Sequence, residues 1–378
     1  MPQDTFEFRI AYRKLLIGLL VTVVPISLVA LYAISQSARS LEHTIGSHYQ
    51  TIAESSAARV RQFIHSKVMD AGMMAANPAV TAEVVAANRL YQGMSEPAVT
   101  EKIQRIEDIW PTPQADALVS RILSSEASQS LRRYLQLDST VLRITVTDER
   151  GATVAATHKT IDYYQADEDY WQNIHAEGRG SVSLTDVQYD IVTRQNYLGI
   201  GVPVVDPETG RFLGTLDALI EVSSLFPIVS QAQVGPGGRA LLVKDDGTVI
   251  SGPQTTLAMG RKSVEFGAVA DASREGEQLG AGYLTANLAG IGETLIAFGA
   301  TGLRADFQNL GWIVLVSQPT QQAFAPIAAT QQLIMLISLL SLAAVVILGV
   351  YFALHRRTES EEIEEEFHPD YPPRTTSV

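Results

Sequence analysis

The sequence predicts an α+β protein in which two tandem antiparallel-sheet modules stand behind one long helix and between two membrane-spanning helices. Three observations predict it: two charge-free apolar runs near the ends of the chain, a helical apolar stripe that continues from the first run, and a strand-turn-strand phrase that occurs twice.

The first apolar run is Leu15–Ile34, preceded by Arg9, Arg13 and Lys14; the second is Leu333–Leu354, followed by His355, Arg356 and Arg357. At ~1.5 Å per residue each run crosses a ~30 Å hydrocarbon core as a helix. The first is longer than the ~7–15 residues of a signal-peptide core, and Ala30-Leu31-Tyr32-Ala33 lacks small-x-small spacing, so it reads as an uncleaved anchor. Basic residues flank the outer end of each run, which places both termini in the cytoplasm. The chain then divides into a cytoplasmic segment 1–14, a span 15–34, an extracytoplasmic segment 35–332, a span 333–354 and a cytoplasmic tail 355–378.

Charge and composition narrow the function. Lys and Arg number 28 against 41 Asp and Glu, a net charge of −13. With +1 on residues 1–14 and −4 on the tail, the outer segment carries −10. Such a surface excludes a nucleic-acid partner, because neutralising phosphates needs a cationic face. The absence of cysteine excludes disulfides, cysteine zinc sites and thiol nucleophiles, and suits an extracytoplasmic location. No His-Glu-x-x-His, Gly-x-Ser-x-Gly or P-loop pattern occurs, so neither a catalytic residue nor a metal or cofactor is expected. His43, His48, His158 and His175 are scattered, and a lone histidine is far more often a satisfied residue than a ligand or base.

The helical period persists beyond the first run. Leu41, Ile45, Tyr49, Ile52, Val60, Ile64 and Val68 form one apolar stripe, so a long helix is expected to reach about Met74. That stripe can pack on its own domain or pair with a second copy in a homodimer, and the two are compatible. Residues 75–137 read as helical, with breaks at Asn77-Pro78 and Trp110-Pro111-Thr112-Pro113 and a helix at Ala115–Leu135. The period then changes to two. Val141–Thr147 turns through Asp148-Glu149-Arg150-Gly151 into Ala152–Ala156, and Ala240–Lys244 turns through Asp245-Asp246-Gly247 into Thr248–Ser251. A second pair of apolar runs follows each copy: Tyr197–Val205 with Arg211–Val222, and Glu293–Thr301 with Gly311–Gln318. The result is an internal repeat of small sheets with helices on one side. A distal module spans about 75–230 and a proximal one about 231–320, linked by Gly235-Pro236-Gly237-Gly238.

In this order, and in the phrases Asp162–Trp171, Gly199–Asp206 and Gly311–Pro319, the chain resembles the double Cache sensor domains of bacterial chemoreceptors and membrane histidine kinases. The resemblance covers about residues 36–330. It implies two PAS-like modules, a bacterial inner-membrane location with a periplasmic sensor domain, and a ligand held in the distal module between its sheet and the segment 157–196.

That segment also stands out by composition. Tyr163, Tyr164, Tyr170, Trp171, Tyr189 and Tyr197 alternate with Asp162, Asp167, Glu168, Asp169, Asp186 and Asp190, a pattern suited to a small-molecule pocket. A helix starting at Asp167 would set Asp167, Tyr170, Trp171 and Ile174 on one face; the plainer reading is that the aromatics fill the core and Asp167 caps the helix. The resemblance implies a Tyr, Arg, Trp-Tyr pattern and a later Asp in amino-acid sensors. Tyr163 matches the first position, Glu168 falls at the Arg, Tyr170-Trp171 inverts the aromatic pair, and Asp217 lies two residues before the Asp position, Leu219. Without the Arg fork an α-amino acid is disfavoured, although Arg194 could reach back. The candidate ligand-binding residues are Tyr163, Tyr164, Asp167, Asp169, Tyr170, Trp171, Tyr189, Tyr197 and Asp217, and the expected ligand is cationic or polar neutral. Asp167-Glu168-Asp169 lacks the alternation and glycine of a calcium loop.

The tail His355–Val378 is too short for a kinase, a cyclase or a methyl-accepting coiled coil, so a separate cytoplasmic or membrane signalling partner is expected. Its run Glu359–Glu366 reads as solvated and irregular, or as a docking strip for a basic partner. A non-signalling binding or scaffold subunit and a membrane-anchored hydrolase are the rival readings.

Overall fold

Helix signals in the amino-terminal half act as the periodicity predicts. The computed structural model describes residues 12–176, 181–252, 261–272 and 279–365. In it, α1 (Tyr12–Ala75) is one helix of 64 residues. Tyr49, Val60 and Ile64 of its stripe are buried, with Ala53 and Ala57 between them and Ala71 beyond, whereas Leu41 is exposed. The stripe therefore packs on its own domain from Tyr49 onward.

Asn77 caps α2 (Pro78–Arg89), its Oδ1 accepting from Ala79 N–H at 2.8 Å, and proline fills the first helical position where no donor is needed. Next come α3 (Glu96–Ile109), a 3-10 turn at Pro113–Ala115, α4 (Asp116–Ser124) and α5 (Glu126–Leu137). The single helix expected over Ala115–Leu135 is thus broken in two. Ser125 adopts an extended backbone, ψ 157°, and its Oγ accepts from Ser128 N–H at 3.2 Å, which starts a new helix.

The first sheet comprises β1 (Val141–Thr147), β2 (Thr153–Ala156), β3 (Ser183–Asp190), β4 (Gln195–Val205) and β5 (Phe212–Glu221), with α6 (Asp169–Ala176) between β2 and β3. After α7 (Phe226–Ser230) the second sheet comprises β6 (Arg239–Val243), β7 (Val249–Ser251), β8 (Ala281–Leu288), β9 (Gly292–Ala300) and β10 (Ile313–Pro319), with α8 (Val264–Ala272) between β7 and β8. The strand orders are β2-β1-β5-β4-β3 and β7-β6-β10-β9-β8, all antiparallel, so the repeat in the sequence is a repeat of topology. Each sheet has one strand more than the apolar phrases predict. β3 and β8 are edge strands facing water, and Ser183-Leu-Thr-Asp-Val-Gln-Tyr-Asp190 carries no apolar run to announce itself. Helices also lie on both faces rather than one: α2 and α5 pack near β1, β2 and β5, while α6 packs on β3, β4 and β5.

One face of the distal sheet is its core, made by Ile144, Val146, Leu198, Ile200, Val202, Leu216 and Ala218, all buried. Removing each large side chain from water contributes roughly 1.5–3 kcal/mol. In the proximal module Leu241, Val243, Ile296, Ile313 and Leu315 pack with Phe266 and Val269 of α8. The modules meet at Asp186, whose carboxylate accepts from Trp312 Nε1 at 3.2 Å and pairs with Lys244 Nζ at 2.8 Å. Asp186, expected among the pocket acids, is therefore an inter-module link. The glycine linker is pinned too: Gln318 Nε2 donates to Pro236 O at 2.8 Å, and Tyr49 O–H donates to Gln318 Oε1.

Gly46–Gln322 form one compact unit holding both sheets, and the residues up to Ile45 and from Ala323 onward form the other. The second contains the start of α1 and, after α9 (Thr320–Ala323), α10 (Ala325–Glu365). Among the described residues one stretch, Gln332–Tyr351, is long and apolar enough to cross a membrane. The run Leu15–Ile34 lies inside α1. Contrary to the expectation of an irregular tail, α10 continues through the glutamate run to Glu365, in keeping with the high helix propensity of glutamate. Residues 1–11 and 366–378, to which cytoplasmic ends were assigned, lie outside the described residues.

Candidate functional site

The face of the distal sheet opposite the apolar core is polar. Strand alternation puts Arg143, Thr145 and Thr147 of β1 on it, and the antiparallel register sets Leu219 and Asp217 of β5 opposite Arg143 and Thr145. In β4, Gly201 pairs with Asp217, Gly199 with Leu219 and Tyr197 with Glu221. Thr147 and Thr215 hydroxyls share a hydrogen bond of 2.8 Å on the same face.

This polar floor is roofed by α6. Asp169 occupies its first turn, favourable at the positive end of the helix, and Tyr170, Trp171 and Ile174 recur at helical spacing and are buried. The roof comes close because the floor is glycine: a Cβ at Gly201 would lie 2.9 Å from Ile174 Cδ1 and 3.3 Å from Tyr170 Cδ2.

Electrostatically the centre is Asp217, 7% exposed. Burial pushes its carboxyl up to about 6, with Arg143 opposing that rise and Glu168 and Asp190 adding to it. Among the described residues no hydrogen bond or ion pair reaches it. Burial also holds the Tyr170 phenol well above its ordinary range, with the Asp217 charge adding to the effect, and its O–H donates to Gln165 Oε1 at 3.3 Å. Tyr197 is pushed up to about 12 by burial and Asp217, and its O–H donates to Gln188 Oε1 at 2.7 Å. Burial raises Glu168, with Asp162 contributing. His158 is lowered by burial and then by Arg143. The Arg143 guanidinium lies 3.4 Å from Asp190 Oδ1, while its Nε is buried without a partner. Trp171 Nε1 is likewise buried and unpaired, and its indole stacks on His175 at 4.5 Å between centroids. Buried polar groups are normally satisfied, so these two exceptions make the region a candidate site.

Of the residues expected in the site, Tyr170, Tyr197 and Asp217 come together at this floor, with Trp171 in the same roof helix and Tyr164 packed against the cluster of Ala166, Tyr170, Trp171 and Ile174. The rest do not. Tyr163 packs on Trp110 at 5.2 Å in a separate cluster with α3 and α4, and the backbone N–H groups of Tyr163 and Tyr164 both donate to Glu107 Oε2 at 2.8 Å. Asp167 and Asp169 are exposed, and α6 starts at Asp169, which leaves Asp167 before the helix rather than on the face of Tyr170. Tyr189 is 51% exposed near the end of edge strand β3. Arg194 sits exposed in the β3–β4 turn at φ 59°, and the cation that acts on Asp217 is Arg143. The alternation Arg143-x-Thr145-x-Thr147 was its signal, since a polar residue at every second position of a buried strand marks a polar face.

No group of three or more acidic or histidine side chains able to hold a metal occurs among the described residues. A cavity of about 590 Å³ opens in the proximal module, away from this floor.

No curated protein matches the sequence. Similar folds occur in the ligand-binding domain of the Pseudomonas fluorescens chemoreceptor CtaA solved with L-isoleucine (14% identity, 76% of this chain and 98% of that one, TM-score 0.48) and in the extracellular domain of the putative histidine kinase rpHK1S-Z16 (14%, 74% and 95%, 0.46). A third is the ligand-binding domain of the Pseudomonas aeruginosa amino acid chemoreceptor PctB with L-Arg (16%, 76% and 97%, 0.43). The family model described as Cache domain, in its double form, matches residues 37–327. With two modules of one strand order spanning that match, the chain belongs to the double Cache family of extracellular sensor domains.

Proposed function

We propose that the chain is a membrane-anchored extracytoplasmic sensor whose distal module binds a small solute carrying an ammonium group, cationic or zwitterionic. The observation that carries this reading is the buried Asp217 carboxylate, which has no hydrogen bond among the described residues and faces two tyrosines. An ammonium group would supply the missing donors, and the aromatic faces would favour it further. Three acids, Asp217, Asp190 and Glu168, surround one cation, Arg143, so the locality selects positive charge. The expectation of a cationic or polar neutral ligand rested on Glu168 standing where the resemblance places an arginine. With Arg143 on the floor, a carboxylate on the same ligand also has a partner. Because α6 closes directly on Gly201, ligand entry would require the roof to lift. That is a two-state element able to bias the spans.

In this reading both apolar runs cross the membrane with the termini inside, and a separate membrane or cytoplasmic partner receives the signal. Calorimetry of the full chain in nanodiscs against amines, amino acids and simple carboxylates tests the ligand class. Amines or amino acids should bind, and Asp217→Asn should weaken them by at least about tenfold, as loss of one member of a buried charge pair does. Binding confined to carboxylates and indifferent to Asp217→Asn would overturn the proposal.

A further inference from the structure

The two modules correspond residue by residue through their turns. Gly151 N–H donates to Asp148 O at 3.1 Å and Gly247 N–H to Lys244 O at 2.9 Å. Gln165 N–H donates to Gly151 O at 2.8 Å and Ser263 N–H to Gly247 O at 2.9 Å; Thr153 N–H meets Tyr163 O and Val249 N–H meets Arg261 O, both at 3.0 Å. Carried along the strands, these matches put Arg239 of β6 where Arg143 stands in β1, Leu315 where Asp217 stands, and Arg261 where Tyr163 stands.

The repeat has thus kept the arginine and reversed its surroundings. Thr145, Thr147 and Asp217 of the distal floor become Leu241, Val243 and Leu315, which join the apolar core under α8. Beside that core lies the cavity of about 590 Å³, within the size range of small-molecule sites. Its charged lining is Arg239, Arg261, Lys262 and Glu265, Gln233 and Ser263 add neutral polar groups, and Leu241 and Val249 supply apolar wall. Lys262 is engaged by Asp246 at 2.7 Å, but Arg261 is exposed. Glu265 is the informative residue. Its side chain is 2% exposed, Oε2 accepts from Ser263 Oγ at 2.8 Å, and Oε1 lies 3.0 Å from Arg239 Nη1 without the alignment of a hydrogen bond. A buried carboxylate oxygen left in this state lacks a donor.

We propose that the proximal cavity is a second ligand site, specific for a short carboxylate that carries a hydroxyl beside its carboxyl group. Arg239 and Arg261 hold the carboxylate, the hydroxyl donates to Glu265 Oε1, and the alkyl part lies on Leu241 and Val249. This site is independent of the distal one and of the ligand class assigned there. One chain would thereby read two solutes of opposite charge.

Calorimetry of the full chain in nanodiscs with L-lactate and with propionate decides. Lactate should bind at one site per chain and propionate about tenfold more weakly, since without its hydroxyl Glu265 Oε1 stays unpaired. Arg239→Gln should weaken lactate by at least about tenfold, and Arg261→Gln, at an exposed position whose loss leaves the fold intact, should weaken it as well. Three results would overturn the assignment: neither acid binding at millimolar concentration, lactate binding unchanged in both variants, or affinity that falls with Arg143→Gln in their place.

Discussion

Asp217 sets the residue-scale behaviour because its carboxyl is buried without a neutralising partner in contact. The native carboxyl keeps its proton up to about pH 6, whereas the unfolded chain releases it near the ordinary 3.8. Between those values the native state binds more protons, so this group's contribution to stability falls as pH rises from about 4 to about 6. Below about 4 there is no penalty; above about 6 it is complete, on the order of 3 kcal/mol. Arg143, Glu168 and Asp190 face the same carboxylate, and the first of these limits the effect. Denaturant melts of the unliganded chain should therefore show Asp217→Asn more stable than the parent at pH 7 and flatter across that window. Equal slopes in the two proteins would mean that the carboxylate is already satisfied. Ammonium ligands should follow the opposite course, binding more tightly as pH rises through 6 and Asp217 ionises.

At the scale of elements, the contact of α6 with β4 controls access to the floor. Gly201 has an ordinary backbone conformation, so what a side chain there changes is space alone. Gly201→Val would drive methyl groups into Ile174 and Tyr170, costing about 1–3 kcal/mol as overpacking does. Hydrogen exchange should then rise along Asp169–Ala176 while β1 and β5 stay protected, and unchanged exchange in α6 would show that the helix has slack. Much at this scale was legible. Both hairpins, the pairs β4–β5 and β9–β10, and the end of α1 follow from period-two or 3.6-residue patterns in contiguous residues. The edge strands β3 and β8 were not, because an edge strand with a wet face carries no apolar alternation. Nor was the break at Ser125, where a single serine caps a new helix within a stretch that is apolar-periodic on both sides.

At the scale of the whole molecule, Asp186 joins the two sheets through Lys244 and Trp312. Asp186→Ala would leave the Trp312 N–H without its acceptor and remove a half-buried ion pair, together about 1–2 kcal/mol. Calorimetric scans should show a lower Tm and a broader transition as the modules melt less cooperatively; a sharp, unshifted transition would mean the link is idle. Signalling belongs to this scale too. If the second span transmits, poly-leucine in place of Leu333–Leu354 should keep ligand binding and abolish co-purification of a partner kinase or transducer. A partner retained by the poly-leucine chain would remove the span from the mechanism.

By itself the sequence determined the α+β class, the duplicated module, the long helix and the acidic, cysteine-free character of the sensor segment. Each of these is a local periodicity or a composition, properties that contiguous residues carry. It also drew attention to Tyr170, Trp171, Tyr197 and Asp217. Only the tertiary structure decided which of the clustered aromatics and acids share a surface. Tyr163 and Tyr189, with Asp167 and Asp169, are neighbours of the site in sequence, but Tyr163 packs in a separate cluster and the other three are exposed, whereas Arg143 is farther along the chain and stands on its floor. The reason is that a sheet face is assembled by strand order and register: β1 meets β5 across more than sixty intervening residues, and no local pattern encodes that pairing.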